Sequence, residues 1–141
     1  MKPPVVNLIR RAILIALSSG LICVTAGVAG VDVKVNQDLE PLLQNETSIT
    51  VNRGWPGNIV VGYNDAPGSG NGLGISYSFN YGVTWTDTQT PTVWGVEADP
   101  AVASDLLGNV FAAQLSYASS GPMVFPNNGI YVCRSTDGGV S

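Results

Sequence analysis

The sequence predicts an all-β protein built from repeated antiparallel four-stranded sheets, and three observations carry that reading. First, Ser78-Phe79-Asn80-Tyr81-Gly82-Val83-Thr84-Trp85 returns at the end of the chain as Ser135-Thr136-Asp137-Gly138-Gly139-Val140-Ser141. Second, earlier blocks recur in the same order: Glu46 to Asn52 aligns with Asp99 to Asp105, and Gly57 to Val61 with Gly108 to Ala112. Third, the matched blocks alternate polar and apolar residues or run β-branched, and Gly/Pro/Asn/Ser stretches separate them, as strands and turns do. The repeat spacing slips between blocks only at Arg53 to Pro56 and in the Gly/Ser/Pro/Asn-rich stretches, which are loop positions where insertions cost least.

In chain order, residues 1–30 read as an export signal. Lys2, Arg10 and Arg11 precede an apolar run from Ala12 to Gly30, and Thr25 to Gly30 supplies small residues for cleavage. The run is also long enough to span a bilayer uncleaved, so membrane attachment through this segment stands beside secretion as an alternative. Residues 31–44 form a leader. Val31-Asp32-Val33-Lys34-Val35 alternates as an edge strand completing the last blade of a full ring would, or forms an ordered extension lying on the surface, and 36–44 links it onward. Residues 45–97 hold the first full repeat: Ser48 to Val51, Asn58 to Tyr63, Gly74 to Ser78, and a fourth strand from Trp85. Such a meander of roughly 50 residues has the size of one β-propeller blade. Residues 98–141 hold the second repeat, which is expected to be cut inside its turn, because Ser141 occupies the place of Thr84 and a Trp is due next. The rest of a propeller is then missing, and open faces and edges favour association.

The turn pattern has a mechanical basis. An Asx side chain accepts amide hydrogen bonds from residues just downstream, and Gly82 or Gly139 supplies φ > 0 without steric cost. Ser78 or Ser135 satisfies another amide, and Trp85 returns apolar area to the sheet. This makes Ser78, Asn80, Gly82, Thr84, Trp85, Ser135, Asp137 and Gly139 fold-stabilising, with a direct role in ligand or metal binding as the alternative for Asn80 and Asp137.

These residues resemble the Asp box, Ser-x-Asp-x-Gly-x-Thr-Trp, of the sialidase-like (BNR-repeat) β-propellers, with Asn80 in place of the Asp in the first copy. The likeness covers about residues 31–141. It implies sialidase-like blades and an exported protein active on glycans of the exo-α-sialidase kind, or a non-catalytic propeller that binds glycans, proteins or the cell envelope. Asp boxes specify the fold more than the activity. The Arg-Ile-Pro word of the family is absent, and the arginine cluster and Tyr/Glu nucleophile pair would lie in later blades, so no catalytic set is found in this chain.

Composition narrows the chemistry. Without histidine, His-dependent triads and His metal sites are excluded, and neither a metal nor a cofactor is expected. Beyond residue 30, three basic residues (Lys34, Arg53, Arg134) face ten acidic ones, a net of about −7, which disfavours nucleic acid as a partner. Cys133 is then the single cysteine and suits a small buried strand residue. Glu46 and Asp99 open equivalent first strands and are the candidate catalytic carboxylates, or else answer neighbouring backbone amides. Trp55, Trp94 and Tyr117, expected in loops, are candidate glycan-stacking platforms or packing residues.

Overall fold

The computed structural model describes residues 32–37, 43–65, 72–118 and 128–141. Residues 1–30, expected to be an export signal or an anchor, lie outside the described residues. The chain divides into two units, 1–32 and 33–141, and the architecture below belongs to the second.

Among the described residues seven strands, all paired antiparallel, make two sheets. β1 (Gln44–Val51), β2 (Ile59–Asp65), β3 (Gly74–Ser78) and β4 (Thr86–Gln89) form a four-stranded meander, and β5 (Gly95–Ser104), β6 (Val110–Ala118) and β7 (Asn128–Ser135) form a three-stranded one. The second sheet begins at Gly95, three residues before the boundary at 98 that the repeat alignment suggests, because Gly95 to Glu97 already pair with Ala118 to Ser116. Asp32–Gln37 enters neither sheet of the described residues. This tail instead packs beside the first sheet: Val35 and Asn36 line a cavity with Gln44, Thr47, Ile49, Val61 and Tyr63, and the Gln37 amide donates to Asp87 Oδ2 at 2.6 Å.

The pairing register sorts side chains by face. In the first sheet Ser48, Thr50, Val60, Gly62, Ile75 and Tyr77 share one side, since Val60 is opposite Thr50 and Tyr77, and Gly62 opposite Ser48 and Ile75. That side meets Val102, Val110, Ala112 and Cys133 of the second sheet, and Val60, Ile75, Val110 and Ala112 are the buried centre of the contact. A β-carbon at Gly62 would come 3.0 Å from Val102, so the absence of a side chain there lets the two sheets close. Polar bonds border this apolar seam. The Val102 amide donates to Ser48 Oγ (3.0 Å), and Ser104 Oγ donates to the Val51 carbonyl (2.9 Å). Cys133, half-buried, donates weakly to the Ala112 carbonyl, and burial pushes its thiol pKa up, as suits a packing residue rather than a nucleophile.

Candidate functional site

The strands carry loops at two ends. At one end lie the two Asx turns, at the other the carboxylates Glu46 and Asp99.

The serine hydroxyls of the two turns make the same bonds. Ser78 Oγ donates to Asn80 Oδ1 (3.0 Å) and accepts from the amides of Asn80 (3.3 Å) and Gly82 (2.9 Å). Ser135 Oγ donates to Asp137 Oδ1 (2.6 Å) and accepts from the amides of Asp137 (3.3 Å) and Gly139 (2.8 Å). Asn80 Oδ1 takes the Thr84 amide at 2.8 Å, and Asp137 Oδ1 takes the amides of Val140 and Ser141 at 3.1 Å each. The last contact reverses with the chemistry: Asn80 Nδ2 donates to Thr84 Oγ1 (2.9 Å), whereas Ser141 Oγ donates to Asp137 Oδ2 (2.6 Å). Hydrogen bonds from the Ser135 side chain, then from the Ser141 side chain and backbone, lower the Asp137 pKa to about 2. Trp85 donates from Nε1 to the Gly82 carbonyl and covers that glycine, and β4 begins one residue later.

Two asparagines that sequence reasoning passed over tie this end together. Asn58 is fully buried and donates from Nδ2 to the carbonyls of Ser78 and of Gly138, at 3.0 Å each, so one amide group links the turns of both repeats. Asn52 accepts the amides of Gly54 and Trp55 and donates to Asn58 Oδ1 (2.8 Å) and to the Gly108 carbonyl (3.0 Å). Its repeat equivalent Asp105 takes the amides of Leu107 and Asn109 and the Asn109 side chain, and that side-chain bond leads the lowering of its pKa. The Gly-Asn opening of each second strand was the signal that could have found Asn58.

At the other end, Glu46 and Asp99 occupy matching β-bulges. Two residues, 46–47 in β1 and 99–100 in β5, stand opposite one on the partner strand. Both bulges hold a non-glycine residue at positive φ, 54° for Glu46 and 56° for Asp99. Such a conformation costs on the order of 1–3 kcal/mol unless the surroundings impose it, and Asp99 bears the added restriction of preceding Pro100. The bulges thus lie inside the first strands rather than at their openings, and each re-aims a carboxylate. Asn64 connects them: its Nδ2 donates to Glu46 Oε2 (2.8 Å) and Asn45 Oδ1 (3.0 Å), and its Oδ1 accepts the Asp99 amide (2.9 Å). Asp65 lies beside this group, held by Gln44 and Gln89. The result is an exposed row of hydrogen-bond acceptors across the two first strands.

The three candidate aromatic platforms are not brought together. Trp55 is at the Asx-turn end, stacked on Phe79 with ring centroids 5.0 Å apart. Tyr117 lies in β6 rather than in a loop, because the alternation of that strand runs to Ala118. It pairs with Val96, on the side of the second sheet that faces away from the first. Trp94 is in the bend before β5 and donates from Nε1 to Tyr131 Oη at 2.7 Å. Beside it Glu97, which no sequence pattern singles out, is buried; its Oε1 accepts the Val93 amide (2.8 Å) and Ser116 Oγ (2.9 Å), fixing the bend, while Oε2 is buried without a hydrogen-bond partner. Arg53 and Arg134 both lie at the Asx-turn end, away from Glu46 and Asp99. Among the described residues no group of three or more Cys, Asp or Glu side chains is placed to hold a metal ion.

Compared with protein-family profiles, curated proteins and solved structures, the chain matches none.

Proposed function

We propose that this chain contributes two repeats of an exported, sialidase-like Asp-box β-propeller. Its part in glycan recognition is to bind, without hydrolysing, at the end of the sheets that carries Glu46, Asn64 and Asp99. One observation carries the reading: the two turns repeat a single hydrogen-bond set while the two first strands repeat a single strained bulge, so the same end of each blade presents one carboxylate. Carboxylate and amide acceptors in a row suit sugar hydroxyls, and Trp94 with Tyr131 supplies an aromatic edge at the same end.

A sialic acid would need cationic donors near its carboxylate. Arg53 and Arg134 are at the wrong end, and the acidic row repels a second anion, so neutral hexose and acetylhexosamine units are the favoured ligands. The test is binding of the chain to a panel of neutral and sialylated oligosaccharides, with a fluorogenic sialoside as the activity probe. Neutral glycans are expected to bind, at least about tenfold more weakly to the Glu46→Gln/Asp99→Asn double variant, each lost charged acceptor contributing on the order of 1 kcal/mol or more. Release of sialic acid that the same double variant abolishes would overturn the proposal.

A further inference from the structure

We infer that the peptide bond between Asp99 and Pro100 is a self-cleavage site, at which the Asp99 carboxyl attacks its own carbonyl carbon and splits β5 at the bulge. The site is independent of the glycan reading. Of the seven aspartates in the chain only Asp99 precedes a proline. It sits at φ 56°, and the residue before a proline is restricted further, because the ring's δ-carbon crowds the preceding N–H and β-carbon. That crowding acts across the bond to be broken, so it eases as the bond lengthens. The fold gives it no other relief. On one side the Asp99 amide is held by Asn64 Oδ1 at 2.9 Å, and on the other Pro100 lies over Gly62, where a β-carbon would come 3.4 Å from it. Between these fixed points the Asp99 side chain is exposed, and its carboxylate has no hydrogen-bond or ionic partner among the described residues, which leaves it free to turn onto its own carbonyl.

Water is the one co-reactant. A carboxyl oxygen bonds to the Asp99 carbonyl carbon, the bond from that carbon to Pro100 N breaks, and the carboxyl proton passes to the nitrogen, which leaves as a secondary amine. The product is a five-membered cyclic anhydride, which water opens to leave Asp99 as a new C-terminus with two carboxyl groups. The neighbouring side chain acts at very high effective concentration, since no second molecule has to be brought in for the bond-breaking step. The reacting form is the carboxylic acid, so mild acid favours the cut. Other ionisable groups on the elements at this end are Glu46 on β1, Asp65 on β2, Glu97 on β5 itself, Tyr117 on β6, Tyr131 on β7 and Lys34 on the tail. The first repeat is an internal control. Glu46 has the same bulge at φ 54°, but its longer side chain would have to close a six-membered ring, and Thr47 follows it in place of proline. Both flanks of the cut stay paired, Gly95 to Ala98 with Ala118 to Leu115 and Ala101 to Ser104 with Ala113 to Val110, so cleavage releases the bulge without removing either half of β5 from the sheet.

The experiment times cleavage of the whole chain by mass spectrometry, at the most acidic pH at which circular dichroism still shows it folded. The reference is a synthetic peptide of residues 94–104 in the same buffer, which has the same Asp-Pro bond on an unconstrained backbone. Cleavage after Asp99 is expected to run at least about fivefold faster in the folded chain, through release of the left-handed strain. Asn64→Ala, which frees the Asp99 amide, is expected to bring the rate down toward that of the peptide. Asp99→Ala and Pro100→Ala are each expected to abolish the cut; if the first does not fold, the second, which keeps the attacking carboxyl, decides the matter alone. A folded chain that is cut no faster than the peptide would overturn the proposal. So would equal yields of fragments ending at Glu46 or at the other aspartates, because the cut would then owe nothing to this bulge.

Discussion

At the scale of single residues, the two repeats solve the same turns with different side chains, and the difference is electrostatic. The first repeat uses Asn52 and Asn80 where the second uses Asp105 and Asp137, and both aspartates have lowered pKa values. Asn52 is buried at 2% exposure and uses Nδ2 as a donor toward Asn58 and Gly108, a role a carboxylate cannot fill. The pH dependence follows. A folded-state pKa of about 2 against 3.8 for the free group means that the Asp137 contribution is complete above about pH 4 and is lost as pH falls through about 2. The melting temperature is therefore expected to fall more steeply between those limits in the wild type than in Asp137→Asn. An Asn80→Gln variant, which changes no charge, is expected to keep the wild-type slope. Asn58 has the opposite character, neutral and enclosed. Asn58→Ala leaves the Ser78 and Gly138 carbonyls and one Asn52 proton without their partner, which is expected to cost about 3 kcal/mol in denaturant unfolding.

At the scale of the elements, the turns also differ in how they pay for left-handed backbone. The residue after the Asx is Tyr81 in the first turn, at φ 60°, and Gly138 in the second, at φ 79°. A bulky side chain at positive φ is strained by roughly 1 kcal/mol, and asparagine tolerates the region better. Tyr81→Asn is thus expected to raise stability by about 0.5 kcal/mol. Gly138→Ala is expected to lower it by at least about 1 kcal/mol, because its β-carbon would come 2.6 Å from the Phe79 ring and 3.0 Å from Asn58 Oδ1. Urea unfolding of the pair, read as midpoint shifts of opposite sign, checks both. Much at this scale is legible in the sequence. Ser-x-Asx-x-Gly bonds span at most four residues, so the residue types and their spacing nearly determine the turn. The bulges are not legible. Nothing in Asn45-Glu46-Thr47-Ser48 marks an extra residue, since the count depends on how β1 meets β2.

At the scale of the whole molecule, the two sheets are joined by one apolar seam with polar borders. Val60 is wholly buried in it, against Ile75, Val110 and Ala112. Val60→Ala removes about two methylene equivalents and leaves space behind, so it is expected to cost about 2 kcal/mol. Because the seam belongs to both sheets, the loss is expected to appear as one shifted transition. Hydrogen exchange that rose in the first sheet alone would show the two to be independent units. The seam also explains the repeat's uneven composition: a glycine at 62 lets Val102 approach, whereas its equivalent Ala113 looks outward.

Patterning along the chain is enough to establish that it is all-β, that it repeats, where most strands lie, and which side chains close each turn. All of these depend on alternation or on bonds between near neighbours, and both are written along the chain. Only the tertiary structure decided which side of each sheet is covered, since in a β-rich chain apolar residues occur on both sides and the register selects between them. It also decided that Asn58 reaches Gly138 across 80 residues, that Asn64 joins the Glu46 and Asp99 bulges, and that Trp55 stands at the end opposite Trp94. Those contacts bring together groups far apart in sequence, and their geometry is set by two sheets closing on each other rather than by any local preference of the residues concerned.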